Sequence, residues 1–122
     1  MPAFDQRVSD FEAANTQVLG ISTDSPFSHE NWAKSVGISH YPLLSDAHRT
    51  AARDYGVYWP DWNANVRATF IVDPQGVIRW ASVNDLSVGR NVDEVVRVLN
   101  ALQTGELCPC NWRAGEPTLQ VA

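Results

Sequence analysis

The chain has 122 residues, of which 44% are hydrophobic and 19% are charged, a composition that fits one globular domain and excludes a disordered chain. The net charge of −5 excludes a basic surface for nucleic acid or for an anionic membrane. Because the sequence has neither a secretory signal pattern nor an apolar run long enough to cross a bilayer, we expect a cytoplasmic protein without membrane or nucleic-acid partners.

The start of the chain predicts a helix followed by a buried strand. Residues 2–14 carry apolar side chains at helical spacing, with Phe4, Val8 and Phe11 on one face. Residues 17–23 form an apolar run of strand length, which is typical of the inner strands of an α/β sheet.

Two capped helices are predicted next. Ser25 suits an N-cap and Pro26 suits the first helical turn, and this helix is expected to end at Gly37. Residues 41–44 predict a short extended link. Asp46 is then expected to cap a helix over residues 47–55.

The second half of the chain predicts a loop, a β-hairpin and a closing helix. Residues 57–65 have the composition of a loop, and the strand runs 67–73 and 77–83 are joined by turn-forming residues. Asn91, with Glu94 three residues later, predicts a capping box for a helix that ends at Gly105. The apolar face of that helix consists of Val92, Val95, Val96, Leu99 and Leu102.

The order of these elements is that of the second half of a thioredoxin-like α/β fold with three layers. The first core strand of that fold, which would lie between the runs at 17–23 and 68–73, is not found. We therefore expect two exposed backbone edges, which a partner strand or upstream sequence would cover. The chain divides into a body at residues 1–104 and a tail at residues 105–122.

The tail contains the only two cysteines, Cys108 and Cys110, separated by a proline. Two neighbouring thiols in a polar tail suggest redox chemistry or a soft metal ion, although incidental exposed thiols remain an alternative. Two thiolates alone make an incomplete zinc site. The only cation next to Cys108 in the sequence is Arg113, while Glu106 opposes thiolate formation.

Several motifs, in order along nearly the whole chain, resemble those of the two-cysteine peroxiredoxins, and in particular the alkyl hydroperoxide reductase C subunit of the actinobacterial kind. The segments that carry the resemblance are 18–25, 27–29 with Trp32, 42–46, 67–73, 87–94 and 106–112. The doubled cysteine at 108 and 110 is what resembles the actinobacterial subgroup.

This resemblance implies an antioxidant enzyme that reduces hydrogen peroxide and organic hydroperoxides with thiols, without a metal or organic cofactor. Cys108 matches the family's resolving cysteine, Cys110 matches the auxiliary cysteine of the subgroup, and Arg67 matches the strand arginine beside the peroxidatic sulfur. The resemblance also implies a homodimer or larger ring with an intersubunit disulfide, which a thioredoxin-like or related dithiol reductant resets.

The peroxidatic cysteine of the family motif Pro-x-x-x-Thr-x-x-Cys would fall a few residues before Met1, so the chain is expected to be truncated at its N-terminus. Activity of the chain alone is therefore not expected. Two alternatives stay open: a non-catalytic paralogue that pairs with a full-length subunit, and a dithiol metal-binding protein.

Other polar residues are expected to be structural. Arg67 has an alternative reading as an ion-pair arginine held by Asp61 or Asp85, and Arg90 is expected at a helix entry or subunit contact. The histidines are expected to be surface or capping residues, namely His29, His40 and His48. The tryptophans between residues 59 and 62 suit loop packing or an oligomer contact.

Overall fold

The computed structural model describes residues 2–119; Met1 and residues 120–122, which belong to the predicted body and tail, lie outside this range. The helices are α1 (Pro2–Asp5), α2 (Val8–Ala13), α3 (Pro26–Val36), α4 (Thr50–Asp54) and α5 (Val92–Thr104). The strands are β1 (Gly20–Ser22), β2 (Leu43–Ser45), β3 (Tyr58–Trp59), β4 (Ala64–Asn65), β5 (Arg67–Val72) and β6 (Ile78–Asn84). The α/β class predicted from the sequence is confirmed.

The helix predicted over residues 2–14 is interrupted, because the backbone turns at Arg7 between α1 and α2. The amide of Arg7 donates to the carbonyl of Phe4 at 3.0 Å, which is a tighter turn than the α-helical one. The predicted apolar face is nevertheless confirmed, since Phe4, Val8 and Phe11 are all buried.

The caps predicted for α3 are confirmed. The hydroxyl of Ser25 accepts the amide of Ser28 at 3.1 Å, and Gly37 ends the helix with a left-handed φ of 80°. The helix predicted over 47–55 begins late, at Thr50, because Arg49 adopts a left-handed φ of 60°. Asp46 still caps it from a distance, accepting the amides of Ala51 and Ala52.

The link predicted at residues 41–44 is wrong in part, because Leu43–Ser45 form strand β2. This strand pairs in parallel with β1, so that Gly20 lies opposite Leu43 and Ser22 opposite Ser45. The strand predicted over 17–23 shortens to three residues, because β2 supplies only three pairing partners.

The predicted hairpin is confirmed as the antiparallel pair β5–β6. Its turn is held by the Asp73 carboxylate, which accepts the amides of Gln75 at 3.0 Å and Val77 at 2.9 Å. The predicted loop at 57–65 contains a further small hairpin, β3–β4, around a 3₁₀ turn. There the rings of Trp59 and Trp62 stack with centroids 5.5 Å apart, and 67% of Trp62 is exposed.

The core lies between the N-terminal helices and α5. Its buried members are Phe4, Val8, Phe11, Ile38, Tyr41, Val92, Val95 and Leu99. The side chain of Gln103 in α5 donates a hydrogen bond to the carbonyl of Ala14 at 2.5 Å. This bond links α5 to the end of α2. Among the described helices, none has the length and apolarity required to span a bilayer.

The strands form three separate pairs in the part of the chain that the structure describes. No strand within residues 2–119 pairs with the second edge of β1 or of β5, which agrees with the two exposed edges predicted from the sequence. The consequence is visible in the burial of the strands: every residue of β5 is exposed or only half-buried, and 44% of Ile21 in β1 is exposed.

The open edge of β1 predicts that two neighbouring amides differ strongly in their protection from hydrogen exchange. The amide of Gly20 donates to the carbonyl of Pro42 at 3.0 Å, so the amide of Ile21 points to the opposite edge. We expect hydrogen exchange followed by NMR to give Ile21 at least about tenfold less protection than Gly20. Equal protection of the two amides in dilute protein would contradict an open edge.

Asp5 connects α1 to the segment after α3. Its carboxylate accepts the amides of Ser39 at 2.9 Å and His40 at 2.7 Å, and it lies 2.9 Å from Nδ1 of His40. The His40 ring, followed by the backbone amides, lowers the pKa of Asp5 against the opposing effect of burial. In turn, the Asp5 carboxylate raises the pKa of His40.

This pair predicts a defined pH dependence of stability. The contribution of Asp5 is present above its ordinary pKa of 3.8 and is lost as acid protonates the folded carboxylate. The contribution of the His40 charge is complete below its ordinary pKa of 6.5 and is lost as the pH rises through the raised folded pKa. Thermal unfolding from pH 5 to pH 9 should therefore show a smaller loss of stability in His40→Gln than in the unchanged chain. His48→Gln is the matched control, and an unaltered pH profile in His40→Gln would contradict the prediction.

Candidate active site

The two cysteines lie in the segment that follows α5, and both are free thiols. Cys108 is half-buried, whereas Cys110 is exposed. The Cys108 Sγ lies 3.8 Å from the hydroxyl of Thr104 and 3.9 Å from the carbonyl oxygens of Ala101 and Glu106. Cys108 is thus seated against the last turns of α5, while Cys110 faces solvent.

The tail is folded on itself by defined contacts and is joined to α5 at a few points. Trp112 is only 4% exposed, and its indole Nε1 donates to the carbonyl of Glu116 at 3.0 Å. Near the end of the described chain, the amide of Leu119 donates to the carbonyl of Leu107 at 2.7 Å. Both hydrogen bonds join residues of the tail to each other. The tail is joined to α5 by the donation of Arg97 to the carbonyl of Trp112 and by the contacts of Cys108 with Ala101 and Thr104. Cys108 is therefore held against α5.

Arg97 of α5 is the cation that the sequence analysis missed. Its Nε and Nη2 donate to the two carboxylate oxygens of Glu94 at 2.6 and 2.7 Å, and its Nη1 donates to the carbonyl of Trp112 at 3.1 Å. The Glu94 carboxylate raises the pKa of Arg97, and the negative charge of a Cys108 thiolate adds to the same effect. The sequence did contain a signal for this contact. The spacing of Arg97, Ala101 and Thr104 places these residues on one face of the helix.

Only part of the capping box predicted for α5 forms. The Asn91 side chain accepts the amide of Glu94 at 3.2 Å, as predicted. The Glu94 carboxylate, however, binds the guanidinium of Arg97 through both of its oxygens. This ion pair replaces the expected contact of Glu94 with the backbone amide of Asn91.

Arg67 lies at the start of β5 and is exposed. Within residues 2–119 it forms no ion pair, so the alternative of a partner at Asp61 or Asp85 is wrong. Asp85 instead accepts the amide and hydroxyl of Ser87, both at 2.9 Å. Arg67 therefore presents a cation that no described carboxylate neutralises.

Arg90 lies close to Arg67 and has a structural role, as predicted. Its Nη2 donates to the carbonyl of Ala68 at 3.0 Å, and its Nε donates to the hydroxyl of Thr69 at 3.0 Å. Burial lowers the pKa of Arg90, and the positive charge of Arg67 lowers it further. Burial also raises the pKa of the neighbouring Tyr41 to about 12.

The structure separates Arg67 from Cys108. Arg67 lies opposite Asn84 at the end of β6, whereas the cavity beside Cys108 is lined by Trp80 near the start of that strand. Four residues of extended strand span about 13 Å. The arginine and the thiol of one chain thus lie toward opposite ends of β6.

The cavity beside Cys108 has a volume of about 520 Å³ and opens between α5, β6 and the tail. Its charged lining residues are Arg79, Glu94, Arg97 and Glu106. Among the described residues, no group of three or more His, Cys, Asp or Glu side chains lies close enough together to hold a metal ion. Cys108 and Cys110 would therefore contribute two thiolates to an otherwise incomplete metal site.

His29 does not fit its predicted place at the surface, since it is 93% buried. Its Nε2 lies 2.5 Å from the hydroxyl oxygen of Ser22, which in turn donates to Asp24 at 2.9 Å. A smaller cavity of about 350 Å³ lies next to it, between β1 and α3. His40 is paired with Asp5, and His48 is exposed as predicted.

Comparison with known families shows to which protein family the chain belongs. The AhpC/TSA family matches residues 1–81, and the C-terminal domain of 1-Cys peroxiredoxin matches residues 101–122. The chain belongs to the AhpC/TSA family. The second match covers the last turn of α5 and the tail with both cysteines, so the resemblance drawn from the sequence is confirmed.

Two curated relatives illustrate the relationship. The mitochondrial thioredoxin-dependent peroxide reductase of Drosophila melanogaster is 46% identical over 120 residues, covering 90% of this chain and 51% of the relative. Alkyl hydroperoxide reductase C of Mycobacterium tuberculosis is 48% identical over 120 residues, covering 96% of this chain and 61% of the relative. The chain thus spans about half to three-fifths of the length of these peroxiredoxin relatives.

Solved structures of the family share the fold. The reduced 2-Cys peroxiredoxin of Plasmodium vivax superposes with a TM-score of 0.87 at 34% identity, over 95% of this chain and 65% of its own. Mycobacterium tuberculosis AhpC superposes with a TM-score of 0.82 at 45% identity, over 91% and 64% of the two chains. The predicted thioredoxin-like fold of the peroxiredoxins is thereby confirmed.

The neighbouring arginines Arg67 and Arg90 are predicted to differ in how much the same substitution destabilises the protein. Arg90→Met removes two donors from the carbonyl of Ala68, and we expect a loss of about 1–3 kcal/mol in the free energy of unfolding. Arg67→Met removes an exposed side chain without an ion pair, and we expect a change within about 0.5 kcal/mol. Urea denaturation compares the two variants, and equal destabilisation would contradict the separate roles of these arginines.

Proposed function

We propose that this chain acts in the thiol-dependent reduction of hydrogen peroxide and organic hydroperoxides, with Cys108 as the resolving cysteine. The observation that carries the proposal is the free, half-buried Cys108 in a docked tail, within a segment that matches the C-terminal domain of 1-Cys peroxiredoxin. A thiol held in a fixed position and still accessible from a cavity is suited to attack a second sulfur atom.

The proposed reaction has two steps at sulfur. A peroxidatic thiolate attacks the peroxide, so that a sulfur–oxygen bond forms, the oxygen–oxygen bond breaks, and water or an alcohol leaves. Cys108 then attacks the resulting sulfenic acid as a thiolate; a disulfide forms and hydroxide leaves, taking up a proton to become water. An external dithiol returns the two electrons by reducing this disulfide.

The peroxidatic thiolate is proposed to come from another segment or subunit, because Cys108 lies toward the opposite end of β6 from Arg67. Arg67 is exposed and carries no ion pair with a described carboxylate, which favours a role in stabilising a thiolate or a departing oxygen anion. The separation of Arg67 from Cys108 supports an intersubunit disulfide and hence a homodimer or larger ring.

Cys110 is proposed as an auxiliary thiol in disulfide exchange. It is exposed and lies one residue beyond proline, so it can reach solvent and a reductant without displacing the docked tail. A thioredoxin-like dithiol is the proposed reductant, because the Drosophila relative is described as thioredoxin-dependent. The division at residues 104 and 105 and the cytoplasmic location stay predictions.

A chimaera tests this proposal. The segment of the Mycobacterium tuberculosis relative that precedes the matched region is fused ahead of residue 1, and peroxide consumption is measured with a thioredoxin system. We expect continuous turnover in the chimaera and none in the 122-residue chain alone. Arg67→Gln should slow the reaction with peroxide about 100-fold, because it removes one electrostatic contact to the developing charge.

The two cysteines provide matched variants of the chimaera. Cys108→Ser should stop disulfide formation after the first oxidation, whereas Cys110→Ser should still form the intersubunit disulfide, seen as a dimer on a non-reducing gel. Turnover that persists in Cys108→Ser would overturn the role of Cys108. A folded chimaera without turnover would favour the non-catalytic paralogue, and stoichiometric zinc or copper(I) binding lost in Cys110→Ser would favour the metal-binding alternative.

A further inference from the structure

The ring of His29 carries a buried hydrogen-bond acceptor that no described residue uses. Its Nε2 lies 2.5 Å from the hydroxyl oxygen of Ser22. Because the Ser22 hydroxyl donates its own hydrogen to the Asp24 carboxylate at 2.9 Å, this network assigns the ring proton to Nε2 of His29. The lone pair of the neutral ring then lies on Nδ1, and within residues 2–119 this buried atom has no hydrogen-bond partner.

The cavity next to His29 sets the chemistry of what could fill it. Besides His29, the cavity of about 350 Å³ is lined by three large apolar residues, Ile21, Trp32 and Leu43. Two of these are unusually open, since 44% of Ile21 and 41% of Trp32 is exposed. A group that fits this cavity is therefore mainly apolar and carries one hydrogen-bond donor for Nδ1 of His29.

Ile21 connects this cavity to the open edge of β1. The amide of Gly20 donates to the carbonyl of Pro42 at 3.0 Å, and the carbonyl of Ser22 accepts the amide of Asp46 at 2.7 Å, so both neighbours of Ile21 bond toward β2. The alternation of a parallel ladder turns the amide and the carbonyl of Ile21 to the other edge, where no strand within residues 2–119 pairs. The spacing of these groups fits an extended polypeptide better than a small molecule.

The open edge of β5 belongs to the same region of the fold. Val18, just before β1, and Ile71 of β5 both pack against the buried cluster between the N-terminal helices and α5. One strand lying between β1 and β5 would therefore form backbone hydrogen bonds on both of its sides. This favours a single inserted strand over separate partners for the two edges.

We propose that the open edge of β1, the adjoining cavity and His29 form an acceptor site for one extended strand of a separate polypeptide. The strand is mainly apolar, and one of its hydroxyl-bearing side chains enters the cavity and donates to Nδ1 of His29. His29 thereby selects the register of the strand, because a shift by one residue turns that side chain to the opposite face. The acceptor site does not depend on the proposed peroxidase function.

The test is an NMR titration of the full 122-residue chain. The probe is the segment of the Mycobacterium tuberculosis relative that precedes the matched region, added as a separate peptide. On binding, we expect the amide of Ile21 to gain at least about tenfold protection from hydrogen exchange. The ¹⁵N resonance of Nδ1 in His29 should move upfield, as it does when this nitrogen accepts a hydrogen bond.

Matched variants separate the role of His29 from that of the backbone edge. In His29→Gln, the side-chain amide reaches the position of Nε2 and keeps the contact with Ser22, but it leaves no acceptor at the position of Nδ1. We expect this variant to bind the peptide about tenfold more weakly, whereas His48→Gln should stay within about twofold. In the peptide, threonine, serine and tyrosine are replaced one at a time by valine, alanine and phenylalanine. One of these changes should weaken binding to the unchanged chain about tenfold and have little effect on binding to His29→Gln.

Several outcomes would overturn the proposal. A peptide that does not bind at millimolar concentration would show that the edge is not an acceptor site. Protection of Ile21 without a shift of the His29 resonance would remove His29 from recognition. Protection of Ile21 by self-association without peptide would make a second copy the occupant, and phenol that shifts His29 without protecting Ile21 would indicate a small-molecule site instead. Because no peroxide is present, these outcomes are distinct from a failure of the proposed function.

Discussion

The apolar face of α5 is the surface on which the rest of the chain depends. That face closes the core against α1 and α2 through Val92, Val95 and Leu99. The segment just ahead of the helix holds the hairpin, since Arg90 donates to the carbonyl of Ala68. The helix also holds the tail through Arg97. Because one element organises all three regions, the position of Cys108 depends on the packing of α5 as well as on the tail's own contacts.

Three arginines, Arg67, Arg90 and Arg97, show how packing gives one residue type different roles. Arg90 gives up its contact with water to support β5, and it leaves Arg67 exposed as a cation beside it. Arg97 instead pairs with Glu94 and holds the tail through the carbonyl of Trp112. Burial and hydrogen-bond partners, not residue type, determine which of these arginines stabilise the fold and leave Arg67 available to an anion.

Features that depend on neighbouring residues were predictable from the sequence. Ser25 and Gly37 bound α3 as predicted, because a cap and a left-handed φ are decided within a few residues. Features that depend on distant partners were not. The strand at Leu43–Ser45 exists because β1 lies beside it, and the burial of His29 depends on the packing of α3. The contact of Arg97 with the carbonyl of Trp112 requires the path of the tail, which no local pattern encodes.

The open edges of β1 and β5 have a consequence for the behaviour of the chain in concentrated solution. An uncovered edge is a template for any extended polypeptide, including another copy, because it offers main-chain groups in the spacing of a growing cross-β stack. Such pairing is driven by main-chain hydrogen bonds, and the net charge of −5 opposes it by a repulsion that salt screens. For this chain, resistance to aggregation and thermal stability are therefore separate properties, and the exposed backbone edges of β1 and β5 govern the first.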